Sequence, residues 1–139
     1  SKLVNRQEPF FIHTKAEREN VDAYIQKLSI KTPSRAQVAN NLSGGNQQKV
    51  AIAKLLNTHS RILIFDEPTR GIDVGAKTEI YQLINALSEE GYSIVMISSE
   101  LPEIVGLCDR VVVMHEGEVK QVLEKHEISQ EKIVTYATA

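Results

Sequence analysis

Residues 61–75 read RILIFDEPTRGIDVG, an apolar run that stops abruptly at two adjacent carboxylates. The run 62–65 is short, unbroken and rich in β-branched and aromatic side chains, which predicts a strand covered on both faces in a parallel sheet. Asp66 and Glu67 then lie at its carboxyl end, the edge at which open α/β sheets bind ligands. Pro68 has a fixed φ and no amide hydrogen, so the strand cannot simply continue. The stretch predicts an α/β fold with a site at this edge.

Two adjacent carboxylates at a strand end suit phosphoryl transfer. Magnesium prefers oxygen ligands and usually keeps several waters, so one carboxylate can hold it, often through water. The neighbouring carboxylate can orient or deprotonate the attacking water. From these residues alone a second interpretation is equally open, in which Asp66 caps a turn and Glu67 is solvated.

Composition restricts the classes of protein. With 139 residues, 42% of them hydrophobic, the chain is long enough for one domain with a core. The net charge of -2 shows no basic footprint, so we expect no nucleic-acid partner. Cys108 is the single cysteine, which excludes an internal disulfide. We find no signal peptide and no apolar run near the roughly 20 residues of a membrane helix, and expect a soluble, intracellular chain.

Hydrophobic spacing and turn residues predict the remaining elements. A capping box at residues 14–17 opens a helix over about 15–28, and Thr32 with Pro33 favours a short second helix toward Asn40. Further helices are predicted over 46–57, 76–90 and 129–137, a second buried strand over 93–97, and a hairpin arm over 119–123. Four histidines lack the spacing of metal ligands and are expected at the surface: His13, His59, His115 and His126.

Residues 41–50 read NLSGGNQQKV. Ser43 and two glycines precede the helix predicted over 46–57, in which Val50, Ala53 and Leu56 share an apolar stripe. Glycines at a helix start let the backbone approach a ligand, and the free amides favour an anion such as phosphate. Without other residues, a flexible cap before a buried helix is the favoured interpretation.

Three motifs in series resemble those of one family. LSGGNQQK at 42–49, ILIFDEPT at 62–69 and GID at 71–73 are similar, in order and spacing, to the signature motif, Walker B motif and D-loop of ATP-binding cassette (ABC) ATPases. The resemblance covers about residues 32–120. The residues of these motifs resemble those of the second, C-terminal cassette of bacterial ribose- and galactose-type monosaccharide importers, which carry two cassettes in one chain.

The resemblance implies a P-loop NTPase-type α/β core with a mainly parallel sheet, truncated, plus part of the helical subdomain. Residues 1–57 would form part of the helical subdomain and the signature helix, and residues 58–139 would form the C-terminal part of the core. Residues 109–114 resemble the last strand of the family's core. No stretch has the Walker A pattern GxxxxGK[ST], since residues 71–78 place Ala76 where glycine is required. The glutamine loop is missing too. We therefore expect a fragment of a cassette that is inactive alone and binds ATP weakly or not at all.

The resemblance also assigns roles to residues. Asp66 would hold Mg²⁺, through water, and Glu67 would be the catalytic residue that positions water. Asp73 of the D-loop would cross the interface between cassettes, although its position also fits the cap of the next helix. Toward the γ-phosphate of ATP held by an opposing cassette, the signature turn would present Ser43, Gly44, Gly45, Asn46 and Gln47.

A strand–helix–strand order gives a right-handed crossover, so the strand over 93–97 should end at the same edge as the first strand. Ser98 and Ser99 would then lie beside Asp66 and Glu67. Ser99 stands at the switch-loop position where the family has a histidine, and a neutral hydroxyl lacks the charge of imidazole. Hydrolysis at this chain's own Walker B site is therefore in doubt, and the site completed on the partner cassette is favoured. Ser99 as the N-cap of the next helix is compatible with either role.

The function implied by the resemblance is ATP hydrolysis that powers import of a monosaccharide, with ATP and Mg²⁺ as cofactors. The expected partners are membrane permease subunits, an opposing cassette and, indirectly, a periplasmic sugar-binding protein. The expected location is the cytoplasmic face of the inner membrane, as a peripheral subunit. One alternative is the ABC-type head of a DNA repair or chromosome protein, which should show heptads and a basic patch. Another is a non-catalytic ABC-fold module.

Overall fold

A computed structural model describes residues 14–58 and 60–138, with side chains from Glu17 onward. The helices are α1 (Thr14–Lys27), α2 (Gly44–Leu56), α3 (Val74–Glu89), α4 (Leu101–Leu107) and α5 (Gln130–Ala137), with 3₁₀ turns at Ala39–Asn41 and Lys125–Glu127. The strands are β1 (Ile62–Asp66), β2 (Ser93–Ile97), β3 (Arg110–His115) and β4 (Glu118–Glu124). His13, His59 and the predicted capping box lie outside the described residues and side chains.

The chain forms two compact units, one up to Val95 and one from Met96. β1 and β2 are neighbours in a parallel sheet, and α3 lies between them in sequence. β1 and α3 belong to the first unit, and the division between the units falls within β2. The Ser93 amide donates to the Arg61 carbonyl over 2.8 Å where the two strands begin. This pairing confirms the predicted α/β class.

The predicted burial of both strands is wrong. Leu63 and Phe65 of β1 are buried, whereas Ile62 is 62% exposed and Ile64 is 61% exposed. β2 alternates between exposed and half-buried residues. The physical reason is that no described residue covers the second face of this sheet, so an unbroken apolar run did not mean burial on both sides.

Helices α1, α2 and α3 surround the buried part of the first unit. α2 begins two residues before its predicted start, and its buried residues are Gly45, Lys49, Ile52 and Leu56. The predicted stripe is buried only in part, because Leu56 is buried whereas Val50 and Ala53 are half-buried and line a cavity of about 240 Å³ against α1. The buried face of α3 consists of Ile80, Ile84 and Leu87.

The segment between α1 and α2 differs from expectation, whereas the end of α3 does not. The helix predicted toward Asn40 is absent, and only the 3₁₀ turn Ala39–Asn41 forms. The Thr32 hydroxyl donates to the Ser34 carbonyl over 2.8 Å, a local turn bond in place of the predicted helix start. The predicted end of α3 is confirmed, since Gly91 has a φ of 88° and its amide donates to the Ser88 carbonyl over 2.9 Å.

The second unit is built on a β-hairpin. β3 and β4 pair antiparallel around Glu116 and Gly117, whose φ values of 49° and 80° suit a two-residue hairpin turn. This confirms the predicted hairpin arm. Its core consists of Val111, Val113, Leu123 and Ile133, against which α4 and α5 pack. None of the helices formed by residues 14–58 and 60–138 is long and apolar enough to cross a membrane.

Candidate functional site

The two acids at the end of β1 are where the sequence predicts them. Asp66 is the last residue of the strand and is exposed. Glu67 follows with a φ of 47°, a left-handed conformation that costs a non-glycine residue roughly 1–2 kcal/mol. Its carbonyl accepts from the Arg70 amide over 3.1 Å, which closes a turn. Strained backbone of this kind clusters at functional sites, so the turn is a candidate site on geometry as well as on sequence.

Burial anchors this turn beneath the acids. Pro68 and Thr69 are fully buried, and the Thr69 carbonyl accepts from the Ile72 amide over 3.2 Å. Asp73 then caps α3, its Oδ1 accepting from the Ala76 amide over 3.0 Å. The prediction that Asp73 fits the cap of the next helix is confirmed. Its role across an interface between cassettes stays a prediction.

The signature turn begins α2. Ser43 occupies the N-cap position with extended backbone, but its side chain makes no capping bond to the helix. Its hydroxyl instead accepts from Asn46 Nδ2 over 2.9 Å, and its carbonyl accepts from the Gln47 amide over 2.9 Å. The first-turn amides therefore have no side-chain cap, and such amides with the helix dipole favour an anion.

The side chains of Asn46 and Gln47 are engaged within the chain. Asn46 Oδ1 accepts from the Lys31 amide over 2.9 Å. Gln47 Nε2 donates to the carbonyls of Leu42, over 2.8 Å, and Asn40, over 3.4 Å. These bonds shape the turn and leave the backbone amides as its means of binding an anion. Direct ligation of nucleotide by the two side chains stays a prediction.

The signature turn lies against the start of α3. A Cβ atom built on Gly45 would lie 2.6 Å from the Ala76 Cβ, so the two helices meet with no room for a methyl group. A Cβ on Gly44 would lie 3.8 Å from the Gly71 carbonyl oxygen, an ordinary contact. The structure therefore brings the signature glycines and the turn that leads to Asp73 into one cluster.

Sequence reasoning missed Lys49. This α2 lysine is only 5% exposed, and its Nζ donates to Glu79 Oε2 over 2.8 Å and to the Ser29 carbonyl over 3.2 Å. The hydrogen bond and charge of Lys49, with the charge of Lys31, lower the pKa of the Glu79 carboxyl. A signal was available, because positions 45, 49, 52 and 56 share one helical face.

Ser98 and Ser99 belong to the second unit. The Ser98 hydroxyl accepts from the Glu100 amide over 3.0 Å and donates to the buried Glu103 carboxylate over 2.9 Å. Glu100 is the N-cap of α4, so the interpretation of Ser99 as that cap is wrong, because the chain turns one residue later. The predicted closeness of both serines to Asp66 stays a prediction, since Asp66 belongs to the other unit.

The described residues include no group of three or more histidine, cysteine, aspartate or glutamate side chains that could hold a metal ion. A magnesium ion does not require one, because it is commonly held by one or two carboxylates, waters and the phosphates of its substrate. The exposed carboxylate of Asp66 is a donor of the right kind. The residues present therefore fit Mg²⁺ bound together with a nucleotide.

Comparison with known proteins supports the resemblance to ABC ATPases. The family model described as ABC transporter matches residues 2–70. The chain is 58% identical over 128 residues to a ribose import ATP-binding protein of Oceanobacillus iheyensis, which covers 92% of the chain and 26% of that protein. It is 53% identical over 136 residues to a putative ribose/galactose/methyl galactoside import ATP-binding protein of Pseudomonas syringae, covering 98% of the chain and 26% of that protein. The chain thus spans about a quarter of these relatives.

Solved structures support the fold. A component of an ABC transporter complex from Clostridium perfringens superposes with a TM-score of 0.72 at 30% identity, over 96% of this chain and 51% of that one. A dimeric ATP-binding cassette bound to ADP and phosphate superposes with a TM-score of 0.70 at 23% identity, over 86% of this chain and 51% of that one. At that identity the second likeness shows the fold alone.

Proposed function

Since the chain belongs to the ABC transporter family, we propose that it is part of an ATP-binding subunit whose ATP hydrolysis powers import of a ribose- or galactose-like sugar. Support for the sugar comes from relatives at 53–58% identity that are named for ribose or galactose import. Because the chain spans about a quarter of their length, the activity of the whole protein is inferred from them. Names of this kind do not favour the alternative of a DNA repair head.

The observation that carries the proposal is the cluster of the signature turn with the turn after β1. Uncapped amides at the start of α2 suit the γ-phosphate of an ATP molecule held by an opposing cassette. Such donors are already oriented before the phosphate arrives, so binding it requires no reorganisation of the turn. Gly45 holds them directly against the helix that Asp73 begins.

The acids at the end of β1 act on this chain's own nucleotide. Asp66 would hold Mg²⁺ through water, and the ion supplies charge neutralisation at the phosphates. Glu67 would orient the attacking water from its left-handed position. Residues 1–139 have no Walker A pattern, and the chain spans about a quarter of its relatives, so we infer that another part of a subunit of that length supplies the phosphate-binding loop.

The two sites of a pair of cassettes differ under this proposal. Ser99, in place of histidine, weakens hydrolysis at the site built on Glu67, whereas the intact signature turn serves the opposing site. The partners are permease subunits and the opposing cassette, with a periplasmic sugar-binding protein acting indirectly. Such a subunit works at the cytoplasmic face of the inner membrane.

The test is ATP turnover by the full-length subunit assembled with its permease. We expect Ser43→Ala, together with replacement of Gly44 by a bulky residue, to reduce turnover, because the opposing phosphate loses donors and space. Glu67→Gln should lower turnover by a smaller amount, because Ser99 already weakens hydrolysis at the site of this carboxylate, and Glu89→Gln, at the exposed end of α3, is the matched control. Turnover unchanged in Glu67→Gln would contradict the role of that carboxylate.

A second measurement addresses the chain by itself. Titration of the 139-residue chain with ATP by calorimetry should give no binding in the micromolar range. The amides of the signature turn and the acids after β1 would each contact a different ATP molecule, so neither set binds nucleotide alone. Micromolar affinity would show that the phosphate-binding loop is dispensable. It would contradict the assignment of the signature turn and the acids to two different nucleotides.

A further inference from the structure

Lys49 lies where three segments of the first unit meet. It sits one turn after Gly45 on the buried face of α2 and is 5% exposed. Its ammonium group reaches the end of α1 through the Ser29 carbonyl and the second turn of α3 through Glu79. A buried lysine needs such partners, because an unpaired charge away from water is very costly.

The contact with Ser29 holds an unusual backbone. Ser29 has a φ of 50°, and its amide donates to the Gln26 carbonyl over 3.1 Å while the Ile30 amide donates to the Ile25 carbonyl over 2.9 Å. This is the turn that ends a helix, with serine where glycine is usual. The Lys49 bond therefore fixes a carbonyl whose direction depends on a strained residue.

A second bond supports the same junction. Asn46 lies one turn before Lys49 on α2, and its Oδ1 accepts from the Lys31 amide over 2.9 Å. The same Asn46 side chain donates to the Ser43 hydroxyl over 2.9 Å. The end of α1 is thus attached to α2 at two points, and one of them is continuous with the signature turn.

The contact with α3 is also doubled. Lys49 pairs with Glu79, and one turn earlier Gly45 meets Ala76 with no room for a methyl group. Two contacts spaced by a helical turn on each helix prevent rotation and sliding between α2 and α3. Since α3 begins at its Asp73 cap, the signature turn and the Asp73 turn are held in one geometry.

We propose that Lys49 is a positioning residue. It holds the signature turn against the turn that leads to Asp73 and against the end of α1, so that the amides of the signature turn point at the phosphate held by the opposing cassette. This inference rests on the proposed function for the identity of the ligand. It assigns Lys49 no contact with nucleotide. Its action is through α2, by way of Glu79 and Ser29.

The most informative variant is Lys49→Met. Methionine keeps an unbranched side chain of similar length, so it fills the buried space while losing both polar bonds. Glu79 is 46% exposed, so its carboxylate becomes solvated when the lysine is gone. We therefore expect the unfolding temperature to change by no more than about 3 °C. Lys49→Arg keeps the charge and should restore most of the function.

The experiment measures ATP turnover against ATP concentration in the full-length subunit assembled with its permease. We expect Lys49→Met to raise KM for ATP about tenfold with kcat within about twofold, because the turn binds phosphate in both ground and transition states. Lys49→Arg should lie within about threefold of the parent protein. Lys54→Met, an exposed lysine on the same helix, is the matched control and should change neither constant. An unchanged KM in Lys49→Met would overturn the inference.

Hydrogen exchange on the same full-length variants separates this inference from the proposed function. The amide of Gln47 closes the signature turn and that of Lys31 reports the α1 junction. Both should exchange at least about fivefold faster in Lys49→Met than in the parent, whether or not the subunit hydrolyses ATP. Unchanged exchange would refute the positioning role, whereas a parent protein without ATP turnover would refute only the proposed function.

Discussion

Gly45→Ala should destabilise α2 although alanine is the better helix former. The new Cβ would lie 2.6 Å from the Ala76 Cβ, and carbon atoms in ordinary contact are about 3.5–4.0 Å apart. The helices must therefore separate by about 1 Å or distort, and overpacking of this kind costs about 1–3 kcal/mol. Alanine recovers up to about 1 kcal/mol through helix propensity. We expect a net loss of about 1–2 kcal/mol.

The neighbouring glycine provides the control. A Cβ on Gly44 would lie 3.8 Å from its nearest neighbours, the Gly71 carbonyl oxygen and the Ile72 side chain, so Gly44→Ala should be neutral or stabilising by about 0.5 kcal/mol. Adding Ala76→Gly to Gly45→Ala removes the opposing methyl group. The double variant should therefore recover about 1–2 kcal/mol relative to the sum of the single changes.

Native-state hydrogen exchange of the α2 amides in the full-length chain measures these differences, because a loss of 1.4 kcal/mol is about a tenfold faster opening. Gly45→Ala should accelerate exchange about tenfold and Gly44→Ala should not. Equal effects of the two alanines, or no recovery in the double variant, would refute the close contact between α2 and α3.

Three further predictions concern other parts of the chain. Glu79→Gln should be less stable than the parent at pH 7. Because Lys49 lowers the pKa of Glu79 in the folded state, the stability contributed by this carboxylate is present above its ordinary pKa of 4.5 and is lost as pH falls below that value. Urea unfolding curves of the two proteins should therefore differ at pH 7 and converge below pH 4.5. Gly91→Ala should cost about 1 kcal/mol in thermal unfolding through its φ of 88° alone, whereas Gly106→Ala, equally free of neighbours but helical, should stabilise α4. Ser129→Ala should cost about 1 kcal/mol by removing the cap of α5, and Ser129→Asp should retain it; a similar loss in both would contradict the capping role.

The parts of the fold that follow local rules were predictable from sequence. The end of β1 at Asp66, the end of α3 at Gly91 and the hairpin turn before Glu118 each depend on residues adjacent in sequence. Proline lacks an amide hydrogen, and glycine tolerates a positive φ, wherever the chain happens to be. Their consequences can therefore be read without knowing what packs against them.

Burial was less predictable because it depends on distant residues. Ile62 and Ile64 have strand-forming side chains, yet their exposure is set by what covers the second face of the sheet. In α2 the apolar residues predicted a stripe of Val50, Ala53 and Leu56, and the structure buries Leu56 on a face that also contains Lys49. A lysine is normally placed on the surface, and only Glu79 and the Ser29 carbonyl make its burial tolerable.

The signature turn shows why a motif alone does not separate binding from packing. Gly44 and Gly45 look equivalent, but only Gly45 faces a contact that excludes a methyl group. Asn46 and Gln47 look like polar ligands, yet their side-chain amides bond to the Lys31 amide, the Ser43 hydroxyl and nearby carbonyls. What remains available to an anion is the backbone amides of the turn and the Ser43 hydroxyl, which accepts from Asn46 and can still donate. The side chains of the motif therefore matter chiefly because they hold that backbone uncapped and in a fixed direction, and Lys49 extends the same support into α3.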